Sequence, residues 1–142
     1  MQNTLFKKII LNTFIIIFLV FFFDKNYTIA LESFIDNNND LSSCPNPNNC
    51  VLENWDVDNS NNSFIELIEI LKTTPRIEII NIQDDYLHAL ATSRIMKYVD
   101  DIEVKKYESN NTLKVKSRSR TGFYDLGVNK RRINTLHFRL ID

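Results

Sequence analysis

Glycine, histidine and cysteine are scarce in this chain, which contains two residues of each type. Two glycines are too few for a dinucleotide-binding turn, and no phosphate-binding loop is present. The histidines lie far along the chain from the cysteines, so these residues do not have the spacing of a zinc site. No serine and histidine stand in a known nucleophile motif. The sequence therefore predicts no metal and no cofactor, and it favours a non-catalytic protein over an enzyme.

Long apolar runs are absent except near the N-terminus, where one extends from Ile9 to Phe23 after Lys7 and Lys8. Small residues at Thr28 and Ala30 then match the positions that a signal peptidase reads. The run is shorter than the roughly 20 residues that a bilayer-spanning helix needs. This pattern favours a cleaved export signal, and an uncleaved membrane anchor through residues 9–23 remains the alternative.

These features divide the 142-residue chain into three parts. Residues 1–30 are a predicted signal peptide or anchor, residues 31–43 a linker, and residues 44–142 a single small domain. Export to an oxidising compartment favours a disulfide between Cys44 and Cys50. Closing so short a loop contributes about 2–2.5 kcal/mol on the chain-entropy model. A redox pair or half of a metal site is the alternative for these cysteines.

Acidic residues dominate the first part of the domain and basic residues the second. Acids outnumber bases over residues 31–101, and the ratio reverses over residues 102–142. The two parts attract each other, or the basic part faces an anionic partner. The residues that follow the signal carry a net negative charge overall, which argues against a nucleic-acid-binding protein.

Patterning beyond the Asn-rich segment 31–62 predicts an α+β domain. Ser63 and Glu66 form a capping box that opens a helix over 63–73, and a second helix is expected over 126–141. Runs rich in β-branched residues predict four strands between them, at 76–83, 86–93, 102–109 and 112–120. The expected fold is a two-layer sandwich, in which two hairpins form a four-stranded antiparallel sheet and both helices cover one face. Trp55 is expected to cap the core, and Ile95, Met96, Tyr98 and Val99 are expected to pack inward.

A tight turn at Asn110 and Asn111 fixes the expected register of the second hairpin. It pairs Tyr107 with Lys114, Lys105 with Lys116, Glu103 with Arg118, and Asp101 with Arg120. Lys114, Lys116, Arg118 and Arg120 then share one face of the last strand, and Arg132 is expected to join them. Since Asp100 and Asp101 point in opposite directions, one is expected to pair with Arg120 and the other to be solvated.

Both glycines, Gly122 and Gly127, lie between the last strand and the last helix, in the segment RSRSRTGFYDLGVNKRR. Glycine is needed where φ is positive or where backbones approach closely, so this corner has a demanding backbone path. Asp125 is expected to cap the final helix. The guanidinium groups in this segment suit an oxyanion, and a structural network of ion pairs with nearby acids is the alternative. The candidate ligand-binding residues are Arg118, Arg120, Asp125, Asn129 and Arg132.

This segment resembles a family, domain-of-unknown-function family 1499. The family shows an arginine-serine-x-serine-arginine-x-glycine run followed by aspartate, glycine, asparagine and arginine, and it also has a cysteine-proline…asparagine-cysteine loop. The resemblance covers about residues 44–140, and Pro47 and Val51 to Glu53 depart from the family pattern. Its matching positions here are Ser117, Arg118, Ser119, Arg120, Gly122, Asp125, Gly127, Asn129 and Arg132, with Cys44, Pro45, Asn49 and Cys50 in the loop and Tyr98 to Asp101 before the third predicted strand.

The resemblance implies a bacterial or photosynthetic lineage, hence the periplasm or the thylakoid lumen as the destination, and it implies no activity. Three functions remain open. The favoured one is an exported, non-catalytic binding or assembly module that recognises an anionic ligand, or a membrane-associated protein complex, at the arginine corner. The second is an envelope or lumenal enzyme that uses His88, Asp125 or the arginines. The third is a structural accessory protein without a ligand.

Overall fold

The computed structural model describes residues 40–142. The predicted signal peptide or anchor, and residues 31–39 of the predicted linker, lie outside the described residues. Between residues 40 and 142, no helix has the length and apolar character needed to cross a membrane.

The described chain folds into five strands and two helices, as a mixed α and β fold. The strands form one antiparallel sheet in the order β1-β5-β4-β3-β2. The prediction of a sheet with two helices is confirmed, but the sheet has five strands rather than four. The elements are β1 (Cys50–Asp56), α1 (Ser60–Thr73), β2 (Ile77–Ile82), β3 (Tyr86–Thr92), β4 (Val99–Tyr107), β5 (Thr112–Ser119) and α2 (Val128–Ile141), with a 3-10 turn (Glu108–Asn110) between β4 and β5.

The additional strand, β1, lies in the segment that the sequence predicts to be irregular. It pairs antiparallel with β5, so that Trp55 lies opposite Leu113 and Cys50 opposite Arg118. The side chain of Trp55 is buried in the core, as expected, and its ring stacks on His137 of α2 with centroids 4.6 Å apart. Asn-rich stretches flank β1 on both sides, the first of them with two prolines, and its partner strand lies far away in sequence, so local patterning does not reveal β1.

Both helices cover the same face of the sheet, and one hydrophobic core lies between the two layers. The helix α1 begins three residues earlier than predicted, because Asn59 rather than Ser63 caps it and accepts a hydrogen bond from the Asn62 amide at 2.9 Å. It ends before Pro75, as proline geometry requires. The core consists of Trp55, Phe64, Leu67, Ile70, Leu71, Leu87, Ala89, Ala91, Ile102, Val104, Leu113, Val115, Ile133, Leu136 and Leu140.

The register of the β4–β5 hairpin differs by two residues from the predicted one. The connection spans Glu108 to Asn111 rather than two residues, and Asn111 adopts the left-handed conformation with φ of 49°. Tyr107 therefore faces Thr112, Lys105 faces Lys114, Glu103 faces Lys116, and Asp101 faces Arg118. Since side chains alternate with a period of two, this shift leaves every residue on its predicted face of the strand.

The segment between β3 and β4 turns outward, contrary to the expectation that its apolar residues pack inward. Ser93 donates its amide proton to the Tyr98 carbonyl at 2.8 Å, and its hydroxyl oxygen accepts from the Tyr98 amide at 2.9 Å. These bonds close a short loop at the end of the sheet, with Lys97 at a positive φ of 57°. Ile95, Met96 and Tyr98 are consequently exposed, and Val99 begins β4 half-buried.

Candidate functional site

The segment between β5 and α2, residues 120–127, is held by the loop that precedes β1. A disulfide joins Cys44 and Cys50, which confirms the expected pairing. Within the loop that it closes, Asn46 donates its side-chain amide to the Phe123 carbonyl at 2.7 Å, and the Asn48 carbonyl accepts from the Asp125 amide at 3.1 Å. The disulfide loop thus fixes the path of the segment that carries the candidate residues.

The helix α2 begins at Val128, two residues later than predicted, and Gly127 occupies its N-cap position. Gly127 adopts a φ of 74°, which is strained for residues other than glycine. The carboxylate of Asp125 accepts from the Gly127 amide at 2.7 Å and from the Asn129 amide at 2.8 Å. Asp125 therefore satisfies two backbone donors at the helix N-terminus, where a negative charge is favourable.

Asn129, in the first turn of α2, is fully buried and connects three segments of the chain. Its Oδ1 accepts from the Ser117 hydroxyl at 2.6 Å, and its Nδ2 donates to the Asn49 carbonyl and to the Ser119 hydroxyl oxygen, both at 3.0 Å. The side chain thus joins α2 to β5 and to the disulfide loop. A buried amide with each of these bonds satisfied specifies one arrangement of the three segments.

Arg132, one turn further along α2, extends this network to β4. Its Nη1 donates to Asn129 Oδ1 at 2.6 Å and to the Ser117 hydroxyl oxygen at 2.8 Å. Its Nη2 donates to Asp100 Oδ2 at 2.7 Å, and both of these charged side chains are largely buried. The expectation that the aspartate not paired with Arg120 is solvated is therefore wrong, because α2 brings a guanidinium group to Asp100.

Asp101 lies on the opposite face of the sheet and receives three basic side chains. Arg120 donates through Nε and Nη2, at 3.1 and 2.8 Å to Oδ1, His88 Nε2 lies 2.9 Å from Oδ1, and Arg118 Nη2 lies 3.8 Å from Oδ2. Burial favours the neutral carboxyl group, but the hydrogen bonds and charges of His88 and Arg120 outweigh it, so the pKa of Asp101 is lowered. The same contact raises the pKa of Arg120. The predicted pairing of Asp101 with Arg120 is confirmed.

The candidate residues other than Asp125 are therefore divided between the two faces of the sheet. Arg132 and Asn129 bind on the helix-covered face with Asp100, and Arg118 and Arg120 lie with Asp101 on the other face. Arg132 does not join the basic side chains of β5 as expected, because α2 crosses the helix-covered face. The division follows from the alternation of Asp100 and Asp101 along β4.

A second buried ion pair lies next to Asp101 on the same face. Lys116 Nζ lies 3.2 Å from Glu103 Oε2, and neither side chain is accessible to solvent. Tyr86 donates its hydroxyl to Glu103 Oε1 at 3.2 Å. Burial raises the pKa of Glu103, although Lys116, His88 and Tyr86 act in the opposite direction, and burial beside Glu103 raises the pKa of Tyr86. The sequence places Lys116 opposite another lysine, and the two-residue register shift instead gives it an acidic partner.

The lowered pKa of Asp101 leads to a pH-dependent prediction. Because this pKa is below its unfolded value of about 3.9, the stabilisation is complete above that pH and is lost as pH falls through the folded pKa. Asp101→Asn is expected to lower the free energy of unfolding by about 1–2 kcal/mol at neutral pH and to make the acid limb of the stability profile shallower. Urea unfolding between neutral pH and pH of about 3 measures both effects. Asp84→Asn, at an exposed turn carboxylate, is the matched control, and equal profiles for the two variants would contradict the assignment.

A cavity of about 320 Å³ lies between the loops 93–98 and 120–127, at the end of the sheet where β4 begins and β5 ends. Its walls carry the hydroxyl groups of two serines, one threonine and two tyrosines, and two carboxylates that the network already engages. A second cavity of about 210 Å³ lies on the other side of Tyr124 and Asp125, against the disulfide loop. The first cavity is lined by Ser93, Tyr98, Asp100, Ser119, Thr121, Gly122, Tyr124, Asp125 and Val128.

Several residues of this region are missing from the sequence-based candidates. Asn49 belongs to an Asn-rich loop, and Ser117 and Ser119 belong to a strand whose basic residues dominate the pattern. Ser119 lines the cavity, and Asn49 and Ser117 support Asn129 from outside it. Only the family resemblance, which includes all three positions, marks them. Within residues 40–142, no group of three or more histidine, cysteine, aspartate or glutamate side chains is placed to hold a metal ion.

This geometry defines an α+β domain whose Arg-Gly segment is bonded to a disulfide loop and to the first turn of its last helix. Residues 36–140 match the family described as protein of unknown function (DUF1499). The match covers most of the chain, so this chain belongs to that family. No curated protein matches the chain.

Proposed function

We propose that this protein is an exported, non-catalytic binding or assembly module that engages an anionic group at the end of the sheet where the loops 93–98 and 120–127 meet. The observation that carries this proposal is the exposed guanidinium group of Arg120, a residue that directly precedes Thr121 in the wall of the cavity between the two loops. Asp100, Ser119 and Asp125 line the cavity, and each is bonded within the network around Asn129. Binding sites characteristically sit on loops that a rigid scaffold positions.

Arg120 is the group best placed to bind the anion. Its side chain is 43% exposed, it precedes Thr121 of the cavity wall, and Asp101 orients its guanidinium group. Arg118 and His88 also approach Asp101, so the described residues place three basic side chains around this one carboxylate. An oriented guanidinium group with exposed donors suits a phosphate or a carboxylate.

Calorimetric titration of the full-length chain with inorganic phosphate, sulfate and glycerol phosphate tests the proposal. Arg120→Gln is expected to weaken binding at least about tenfold, because a charge-assisted hydrogen bond is lost, while a thermal unfolding midpoint shows that the fold persists. Arg139→Gln is the matched control, since Arg139 lies at the opposite end of α2 from residues 120–127 and donates to the hydroxyl oxygens of Thr73 and Thr74. Equal affinity of the two variants, or no anion binding by the unmodified chain, would refute anion recognition at Arg120.

An enzyme is the second candidate, and one contact favours it. His88 Nε2 and Asp101 Oδ1 are 2.9 Å apart, which is the arrangement of a general base and the carboxylate that orients it. Against it, His88 is only 6% exposed. The structural accessory function draws its support from the pairing of Arg132 with Asp100 and of Arg120 with Asp101. Anion binding that depends on Arg120 separates the binding module from the structural accessory protein.

A further inference from the structure

The loops 93–98 and 120–127 expose large apolar side chains at one end of the domain. Ile95 and Met96 are 84% and 64% exposed, and Phe123 and Leu126 are 76% and 74% exposed. The two loops leave neighbouring strands side by side, since the Arg120 amide donates to the Val99 carbonyl at 3.3 Å. A group of exposed apolar side chains on adjacent loops marks an interaction surface rather than chance exposure.

The exposed charges of these loops have one sign. Arg94, Lys97 and Arg120 are exposed, and the one acidic residue of the two loops, Asp125, is engaged by the amides at the start of α2. Arg131, in the first turn of α2, is a further exposed base beside this segment. Apolar side chains surrounded by lysine and arginine are typical of surfaces that enter an anionic lipid interface.

The two loops hold these side chains outward in a fixed conformation. Bonds between Ser93 and Tyr98 close the first loop, and bonds from Asn46 and Asn48 of the disulfide loop fix the second. Tyr98 and Tyr124 line the cavity between the loops and are themselves exposed. Tyrosine rings favour the headgroup level of a membrane, where one side is apolar and the other is hydrated.

We infer that this end of the domain, defined by Ile95, Met96, Phe123 and Leu126 with the bases Arg94 and Lys97, docks on the surface of an anionic phospholipid bilayer. The apolar side chains enter the boundary of the acyl chains, and the basic side chains contact lipid phosphates. Apolar side chains that protrude from the tips of two loops fit a fluid lipid surface, whereas a protein partner would need a matching recess for each of them. The inference rests on the proposed binding function, because it names the source of the anionic group.

Tryptophan fluorescence in reconstituted vesicles tests this docking directly. The chain contains a single tryptophan, Trp55, which is 2% exposed and gives a constant background. Full-length Phe123→Trp is reconstituted with brominated lipids in phosphatidylcholine vesicles, with or without phosphatidylglycerol. Phe138→Trp, at an exposed position of α2, is the matched control. It shows how much quenching occurs when the domain is held near the bilayer by another part of the chain.

We expect strong quenching of the tryptophan at position 123 in vesicles that contain phosphatidylglycerol, and little quenching at position 138. Neutralising Arg94 and Lys97 as Arg94→Gln and Lys97→Gln should lower the ratio of docked to undocked protein about fivefold for each charge. Equal quenching at the two positions, or no difference between anionic and neutral vesicles, would overturn the inference. So would photo-crosslinking from position 123 that captures a protein in the absence of quenching.

The titration with glycerol phosphate separates this inference from the function on which it rests. Glycerol phosphate binding that depends on Arg120, without quenching at position 123, refutes membrane docking and leaves anion recognition intact. Failure of both measurements refutes both. Quenching at position 123 without binding of free glycerol phosphate supports docking and places the recognition in the apolar side chains rather than in Arg120.

Discussion

Replacing Lys116 with methionine is expected to lower the free energy of unfolding by about 3–5 kcal/mol, because it leaves the Glu103 carboxylate buried without its charged partner. The two side chains are inaccessible to solvent, and 3.2 Å separates Nζ from Oε2. Methionine is unbranched like lysine and only one heavy atom shorter, so the loss reports mainly the charge rather than a cavity. Urea unfolding of Lys116→Met at neutral pH measures the effect. Lys114→Met, two residues earlier on the same face of β5 but only half-buried, is the matched control.

The pH dependence of this loss identifies Glu103 as its cause. Burial already raises the pKa of Glu103, and removal of Lys116 is expected to raise it further. The destabilisation of Lys116→Met relative to the unmodified protein should therefore be small below the pKa of glutamate in the unfolded chain, about 4.3. It should grow as pH rises towards the pKa of Glu103 in the folded variant.

A second substitution at Glu103 should reverse the loss. Glu103→Gln in the Lys116→Met background removes the buried charge and keeps an oxygen for the Tyr86 hydroxyl, so most of the stability is expected to return. A loss that stays constant with pH, or that persists in the double variant, would mean that packing and not charge holds this part of the sheet.

The second large effect is expected at Asn129. Asn129→Ala removes the side chain that accepts from Ser117 and donates to Asn49 and Ser119, which leaves buried polar groups without partners. We expect a loss of about 2–4 kcal/mol in the free energy of unfolding, measured by urea or thermal unfolding. Asn134→Ala, at an exposed position of the same helix, is the control and should change stability by less than about 0.5 kcal/mol.

Asn129→Ala also tests how the network supports the loops. The loss of the bond to the Asn49 carbonyl should loosen the disulfide loop and the segment 120–127 together, and hydrogen exchange of the Asp125 amide, which donates to Asn48, would report it. Faster exchange at Asp125 without faster exchange in the core strands is the expected pattern. Uniformly faster exchange would mean that Asn129 stabilises the whole domain rather than this corner.

Local patterning predicts the elements of this fold well where neighbours in sequence are also neighbours in space. The β2–β3 and β4–β5 hairpins and α2 follow from alternation, turn residues and helical spacing, and Asp125 caps α2 as expected. The strand β1 is missed because its pairing partner, β5, lies far along the chain and its own flanks resemble loops. Edge strands that pair with distant partners depend on tertiary contacts that propensity does not encode.

The candidate site shows the same division between local and distant information. The sequence identifies Arg118, Arg120, Asn129 and Arg132 as a group, but their assignment to opposite faces of the sheet depends on the position of α2. The register that predicts the pairing of Asp101 with Arg120 is wrong by two residues. The two side chains nevertheless form an ion pair, because Arg120 extends back along the sheet from beyond the end of β5. The outward turn of Ile95 and Met96 depends on the bonds of Ser93, and an apolar sequence gives no sign of them.

The pairing of β1 with β5 has a consequence for the order of folding. The ribosome makes Cys50–Asp56 long before Thr112–Ser119, so this edge of the sheet cannot close until nearly the whole chain exists. The hairpins β2–β3 and β4–β5 need only short loops to close and can form first. Cys44 and Cys50, by contrast, are six residues apart and can be oxidised while β1 is still unpaired. The disulfide can thus form before β1 has paired with β5. It then restricts the conformations of the chain before β1 while the last contacts of the domain are made.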